Sequence, residues 1–391
     1  MRHEKLLAIC ISTLLVTAGQ GVVSPILPLY AKEFDVSTAM VGLTITSFGL
    51  ARLVSNVPAG MFADRRGRRI LLVGGPLVTA VGMAGSAVAG SIWWLLVWRF
   101  VAGAGSGVYM TGAQIYLVDI ADPSERGRYM AINQGALLVG FSAGPALGGV
   151  LSEAYGLSTP FLVVAVAAAL TALYGALRLP ETGKGGSPPP SGNGVDRQAL
   201  LRSPALLAVG LVSMSIFSIR AGVRQALVPL ELTDRFGWAT DDIGLLFTAL
   251  GVIGLVLIVP AGWSVDRFGA RAVIVPTALA GALGIGVVAA AGSISVYVAG
   301  LAIAAIGTGV TGPAPAAFVA DLVDDADRGA AMGLYRTLGD AGVVASPFLS
   351  GALADATSFS TAIMANAIFV ALAGVTFFVV TAPRAGSTNL V

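Results

Sequence analysis

Long apolar runs alternate with short charged segments along almost the whole chain. A helix needs about 20 apolar residues to cross a lipid bilayer, and most of the runs have about this length. The pattern therefore predicts an all-α membrane protein with twelve transmembrane helices, which we call spans 1 to 12. Their predicted bounds are roughly 6–28, 39–61, 70–90, 93–118, 129–151, 160–178, 204–229, 242–262, 272–292, 294–320, 331–353 and 361–381.

The composition supports a lipid environment. Hydrophobic residues make up 56% of the chain and charged residues 11%, whereas soluble domains carry about 25% charged residues. A net charge of +2 gives no reason to expect nucleic acid as a partner. We expect neither a metal nor a cofactor, because His3 and Cys10 are the only residues of their types. The glycines at 307, 309 and 312 match a dinucleotide fingerprint but lie inside an apolar run without a preceding strand.

Basic residues set the expected orientation. Sixteen lysines and arginines fall in segments on one side of the membrane, against Lys32 and Arg235 on the other. Because loops rich in lysine and arginine stay in the cytoplasm, both termini are predicted to be cytoplasmic in the inner (plasma) membrane. The first run could be mistaken for a signal peptide cleaved after Ala18, but the apolar run continues beyond that residue.

The chain repeats itself on either side of a Gly- and Pro-rich stretch. That stretch predicts a cytoplasmic linker at 182–203 between an N-terminal half at 1–181 and a C-terminal half at 204–391. Matching residues are separated by 202 positions. They are Pro58/Pro260, Gly60/Gly262, Asp64/Asp266, Arg65/Arg267, Gly67/Gly269, Arg69/Arg271, Asp119/Asp321, Arg126/Arg328, Gly140/Gly342 and Pro145/Pro347. Two parallel six-helix repeats are a known transporter architecture, with the substrate site between them.

The best-developed repeat lies in the loop between spans 2 and 3. Its glycines allow close packing and a tight reversal, and we expect Asp64 and Asp266 to cap neighbouring helices. Asp119 is expected to cap a helix or to pair with the loop arginines. A solvated basic loop is the alternative, which the second copy disfavours. The residues assigned to this gating motif are Gly60, Asp64, Arg65, Gly67, Arg68, Arg69, Asp266, Arg267, Gly269 and Asp119.

Spans 4 and 5 carry two further motifs. Arg99 precedes a run of small residues that ends at Gly107, and span 5 contains Gly140, Gly144, Pro145, Gly148 and Gly149. With the loop motif, these sequences resemble the major facilitator superfamily, and the resemblance covers essentially the whole chain. It implies the major facilitator fold, with two pseudo-symmetric six-helix halves. It also implies proton coupling at Arg99 and an antiporter motif in span 5, as in the drug:proton antiporters. The second half departs from the pattern at Val298 and Ser346.

Charges inside the membrane are expected to be functional. Arg52 is 12 residues before Asp64, and Asp340 is 12 residues after Arg328. Both therefore lie about 18 Å from the cytoplasmic end, and spans 2 and 11 face each other in the resembled fold. We predict that Arg52 or Arg336 pairs with Asp340, and that protonation of Asp340 releases the arginine. A permanently neutralised pair is the alternative.

The other intramembrane arginines are assigned from depth. Arg99 lies about 9 Å inside the outer boundary, so snorkelling to the interface is an alternative to coupling. Arg220 and Arg224 are predicted one turn apart near the outer end of span 7. The excess of arginine over aspartate favours anionic or zwitterionic substrates. The residues assigned to the cavity are Gln20, Gln114, Arg220 and Gln225.

The sequence thus predicts a monomeric, proton-coupled antiporter that exports small amphipathic molecules. An uptake symporter or facilitator, or a transporter of lipids or lysolipids, is the alternative on the same fold. A membrane receptor or lipid-modifying enzyme would need a soluble domain or a catalytic cluster, and the sequence offers neither.

Overall fold

The computed structural model describes residues 2–122, 124–182, 202–324 and 327–382 of the 391-residue chain. Every predicted span is a helix. Spans 1 to 6 are Arg2–Val23, Thr38–Arg66, Arg69–Ala87, Ile92–Ile120, Arg126–Tyr155 and Thr159–Arg178. Spans 7 to 12 are Pro204–Phe236, Thr240–Phe268, Ala270–Ala290, Ile294–Leu322, Arg328–Ala356 and Phe359–Val380. A short helix, Leu27–Lys32, follows span 1.

Length and hydropathy identify ten of these helices as able to cross a membrane. The two others, spans 4 and 11, pack among the ten. Large apolar side chains remain exposed along the outside, which is the arrangement expected beside lipid. In span 6 they are Leu162, Val166, Leu170, Leu173 and Leu177. The predicted linker falls almost wholly on 183–201, outside the described residues, so the division into two halves stays a prediction.

The sequence marks many helix ends directly. The hydroxyls of Ser37, Ser203, Ser293 and Ser358 accept hydrogen bonds from the first turns of spans 2, 7, 10 and 12, as serine does at an N-cap. Spans 2 and 8 end at Gly67 and Gly269, whose φ angles are 92° and 81°. A residue with a Cβ would be strained in that conformation.

Spans 1–6 and spans 7–12 pack in the same way. Span 1 packs on span 5, span 3 on spans 4 and 6, and span 2 on span 4. The equivalent pairs in the second group are 7 with 11, 9 with 10 and 12, and 8 with 10. The two groups meet where span 2 packs on span 11 and span 5 packs on span 8. The internal repeat of the sequence is therefore also a repeat of helix packing.

The two ends of the bundle differ in how the groups meet. At one end Ala226 and Leu230 of span 7 share a buried cluster with Val22 and Ile26 beside span 1. At the other end, each group has its own buried cluster. We call the first the sealed end and the second, which carries the loops 64–69 and 266–271, the basic end. We infer that the groups separate towards the basic end, because no buried apolar cluster among the described residues joins them there.

Candidate functional site

Three charged side chains meet between spans 2 and 11. Arg52 and Asp340 are half-buried, and Arg336 is exposed. Both arginines lie close enough to Asp340 to interact with it electrostatically. No guanidinium nitrogen within the described part of the chain lies within 4 Å of the Asp340 carboxylate. The structure therefore brings the predicted partners together without a direct ion pair.

Arg99 is buried in the first group, so the snorkelling alternative is wrong. Its side chain is 4% exposed, and its guanidinium carbon lies 4.5 Å from the centroid of the Phe48 ring. Its Nη1 atom is 3.9 Å from the sulfur of Met83, and its Nε atom has no hydrogen-bond partner. One turn further along, Gly103 allows the backbone of Phe48 to approach, since a Cβ there would collide with it. Arg99 is thus held between spans 2, 3 and 4 without a carboxylate among the described residues.

Span 7 is longer than predicted, which changes the depth of its arginines. It runs unbroken from Pro204 to Phe236, so Arg220 lies at its midpoint and not near its outer end. The residues from Ile219 to Leu227 form a π-helix. Arg220 is exposed, whereas Arg224 and Gln225 are half-buried. Extended π-helical turns are rare and often occur at functional sites.

The cavity glutamines of the first group lie on spans 1 and 4. The side-chain amide of Gln20 donates a hydrogen bond of 2.8 Å to Ser106 on span 4. Gln114 is half-buried and lies eight residues after Ser106 on span 4, nearer the basic end. Gln20 is the repeat equivalent of Gly222 in the π-helix, so it lies at a depth similar to that of Arg220.

The loop motif at the basic end is joined to its own group by specific contacts. Arg68 Nε lies 2.9 Å from Asp119 Oδ2, the pairing predicted for Asp119. Glu181, which sequence reasoning did not select, accepts hydrogen bonds from the amides of Arg68 and Arg69 at 2.7 and 3.3 Å. The Asp64 side chain lies outside the described residues. Asp266 is exposed without a hydrogen bond to a described residue, so its predicted cap is not formed.

Among the other loop residues, Arg69 and Arg271 make equivalent contacts in the two groups. Arg69 and Arg271 donate to the carbonyl oxygens of Ala176 and Phe378, which are themselves 202 positions apart. Arg267 stacks over Trp263, with 5.3 Å from its guanidinium carbon to the ring centroid. Arg65 is exposed, and a Cβ on Gly60 would meet nothing within 4 Å.

The glycines of the span 5 motif contact two different spans. Gly140, Gly144 and Gly148 face the backbone of span 1 so closely that a Cβ would overlap it. Gly149 faces span 8 instead, where Thr240 approaches it. The carbonyl oxygen of Pro145 lies against Gly244 of span 8. The motif therefore packs the first group internally and also joins it to the second.

Two carboxylates that sequence reasoning missed hold the groups together at the sealed end. Asp355 of span 11 accepts hydrogen bonds of 2.8 Å from each of the amides of Thr38 and Ala39, at the start of span 2. Glu153 of span 5 accepts from the hydroxyl and amide of Thr240, at the start of span 8, at 3.0 and 3.4 Å. We call these contacts the carboxylate latches. The acids and the threonines are each 202 positions apart, so the repeat offset could have found them.

A further missed acid is Glu231, near the sealed end of span 7. It is 4% exposed and accepts a hydrogen bond of 2.9 Å from Tyr297. Its other oxygen lies 3.1 Å from Nη1 of Arg235. A buried carboxylate needs such partners, and together they fix the end of span 7 to span 10. Among the described residues no group of three His, Cys, Asp or Glu could hold a metal ion.

Comparison with known proteins agrees with this architecture. The Major Facilitator Superfamily sequence profile matches residues 9–228 and 220–390. An uncharacterised MFS-type transporter of Methanocaldococcus jannaschii is 23% identical, with 95% of this chain and 97% of that protein covered. The class C tetracycline resistance protein of Escherichia coli is 29% identical, with 73% of each chain covered. Multidrug resistance protein 1 of Bacillus subtilis is 25% identical over 61% of each.

Among solved structures, a bacterial homologue of the human lysosomal transporter Spinster superposes with a TM-score of 0.84 at 16% identity. The superposition covers 97% of this chain and 96% of that one. At this identity the likeness concerns the fold.

Proposed function

Because the chain belongs to the Major Facilitator Superfamily, we propose that it is a proton-coupled antiporter that exports small amphipathic molecules. Its place in the family makes it a multi-pass membrane transporter of small molecules and not an enzyme. Its relatives include proteins named for multidrug and tetracycline resistance, which supports export. The positive-inside pattern supports an inner-membrane location with both termini cytoplasmic. We also propose that it works as a monomer whose two groups of six spans move as halves.

The observation that carries proton coupling is the cluster around Asp340. Its carboxylate is half-buried at the interface of spans 2 and 11, with Arg52 and Arg336 nearby but not bonded to it. A nearby cation favours the ionised carboxylate, whereas burial without a cation favours the protonated one. A small relative movement of spans 2 and 11 would therefore change the proton affinity of Asp340. Proton binding would in turn bias that movement, because the linkage is reciprocal.

Proteoliposomes with an imposed pH gradient test this assignment. Asp340→Asn should abolish gradient-driven accumulation of a transported dye and leave counterflow exchange at least partly intact, because exchange needs no net proton movement. Asp234→Asn is the matched control, since Asp234 is exposed at the sealed end of span 7. Normal accumulation by Asp340→Asn with an unchanged pH dependence would place the coupling site elsewhere, and Arg99 would be examined next.

The preference for anionic or zwitterionic substrates rests on the charges facing the space between the groups. Arg52, Arg336 and Arg220 are all accessible there, and Asp340 is the one acid beside them in the described residues. A cavity of this sign concentrates negatively charged compounds. Gln20, Gln114 and Gln225 supply neutral donors and acceptors around it.

A further inference from the structure

The π-helical part of span 7 presents two arginines to the interior. Arg220 and Arg224 are four residues apart on this segment, so they lie on the same side of the helix. Arg220 lies close enough to Tyr335 of span 11 to interact with it electrostatically, and Arg224 lies near Phe247 of span 8. The two guanidiniums are close enough to repel each other. The pair lies halfway along span 7, where a charge is costly.

Neither arginine has an anionic partner in the part of the chain that the structure describes. Within the described residues no carboxylate oxygen lies within 4 Å of either guanidinium, and no side-chain hydrogen bond is made by either. Arg68 and Arg235, by contrast, pair with Asp119 and Glu231. Buried or cavity-facing cations are normally paired. The described residues therefore leave the two positive charges at mid-depth without a paired carboxylate.

Aromatic rings frame the pair. The guanidinium carbon of Arg220 lies 5.8 Å from the centroid of Phe217, and that of Arg224 lies 6.0 Å from the centroid of Phe247. Rings at this distance hold the guanidiniums in place through cation–π attraction and leave their N–H groups free. An arginine held in this way can still donate two parallel hydrogen bonds to an anion. The surroundings combine fixed positive charge with an apolar wall.

We propose that Arg220 and Arg224 form a two-guanidinium subsite for the anionic head group of the transported amphiphile. The ligand class is an organic anion with at least two acceptor oxygens, such as a carboxylate, joined to an aromatic or aliphatic body that packs against Phe217 and Phe247. This inference rests on the proposed transport function and deepens it. Arg224 is the more buried of the two, so it defines the inner limit of the subsite.

Three ligands of nearly equal size separate charge from shape. They are 1-naphthaleneacetate, its neutral amide 1-naphthaleneacetamide, and the cation 2-(1-naphthyl)ethylamine. Their binding to the purified full-length protein in nanodiscs can be measured at equilibrium at neutral pH, by ligand fluorescence and by the rise in melting temperature. The wild-type protein should bind the carboxylate at least tenfold more tightly than the amine.

Four variants test the subsite. Arg220→Gln and Arg224→Gln should each weaken the carboxylate roughly tenfold or more, as expected for loss of a charge-assisted hydrogen bond, and leave the amide within about twofold. Arg220→Lys should recover part of the affinity, because it keeps the charge but not the paired donors. Arg178→Gln removes an exposed charge at the basic end of span 6 and is the control. It should change none of the three affinities.

Equal losses for all three ligands would overturn the proposal, because they would indicate a structural role for the arginines. Unchanged carboxylate binding in both glutamine variants would overturn it as well. Arg220 is exposed, so its variants keep the test valid even where Arg224→Gln fails to fold. Equilibrium binding needs no pH gradient, so failure here is distinguishable from failure of the coupling assigned to Asp340.

Discussion

Removing the carboxylate latch on span 11 should open the sealed end. Asp355→Ala deletes two hydrogen bonds of 2.8 Å from the Thr38 and Ala39 amides. Hydrogen bonds to a charged acceptor contribute about 1.5–3 kcal/mol, and we take about 1 kcal/mol for each here because Asp355 is exposed. A loss of about 2 kcal/mol shifts the ratio of sealed to unsealed molecules about 30-fold. Glu153→Ala, which removes weaker contacts to Thr240, should shift it only about fivefold.

Distances between spin labels across the sealed end measure this shift. Labels on cysteines introduced at the exposed positions Glu33 and Thr357 report the separation between the segment just before span 2 and the end of span 11. Cys10 is the only native cysteine, so Cys10→Ser provides the background. Asp355→Ala should populate a longer distance that is minor in the parent, whereas Asp234→Ala should not. The same distance distribution in the parent and in Asp355→Ala would refute the reasoning.

The latch should not respond to physiological pH. The Asp355 carboxylate is exposed and accepts hydrogen bonds from the Thr38 and Ala39 amides, and hydrogen bonds to the ionised form favour that form. Such a carboxylate keeps its contribution at neutral pH and loses it only when acid protonates it. We therefore expect no change in the Asp355-dependent distance between about pH 5 and pH 8. Any pH response in that window should come from Asp340.

Two further pairs of variants test the packing of span 2 on span 11 and the contact between Arg68 and Asp119. Gly42→Ala should reduce transport and favour the unsealed form, because its Cβ would collide with the Pro347 carbonyl. Gly60→Ala should be tolerated, because a Cβ there would meet nothing within 4 Å. Transport assays in proteoliposomes compare the two variants. Arg68→Gln should lower the free energy of unfolding by about 1–3 kcal/mol, because it loses the 2.9 Å contact with Asp119. Its melting temperature should fall accordingly. The exposed Arg65→Gln should not, and equal melting temperatures for the two would contradict the assigned difference.

Hydropathy was enough to predict the spans, whereas the facing of spans 2 and 11 came from the family resemblance. Pairing with a loop arginine was one of the two roles expected of Asp119, and Arg68 is that arginine. Span 7 was predicted too short, because Pro229 and Glu231 resemble the end of a membrane helix. Only the structure shows that Arg235 and Tyr297 compensate the buried Glu231. The burial of Arg99 depends on the ring of Phe48, which lies about 50 residues earlier in the chain. Depth alone cannot reveal such a neighbour.

Distances within the charged cluster were also beyond sequence analysis. Depth arithmetic placed Arg52 and Asp340 together correctly, but whether they bond depends on how far apart spans 2 and 11 stand. The two carboxylate latches were missed for a different reason. Glu153 and Asp355 lie at helix ends, where an acid usually faces water. Their partners are backbone amides and the Thr240 hydroxyl, which hydropathy does not mark and only the repeat offset connects.

The glycine–proline contacts between the two groups of spans are symmetric, which bears on how such a chain could arise. Gly42 of span 2 meets Pro347, and Gly244 of span 8 meets Pro145, so each contact is made twice with the roles exchanged. Surfaces that match themselves in this way are those of a symmetric dimer. A gene encoding six spans would therefore already encode the closure between two copies. Arg52 and Asp340 have uncharged equivalents in the other group, so the proposed proton site required the copies to diverge after they were joined.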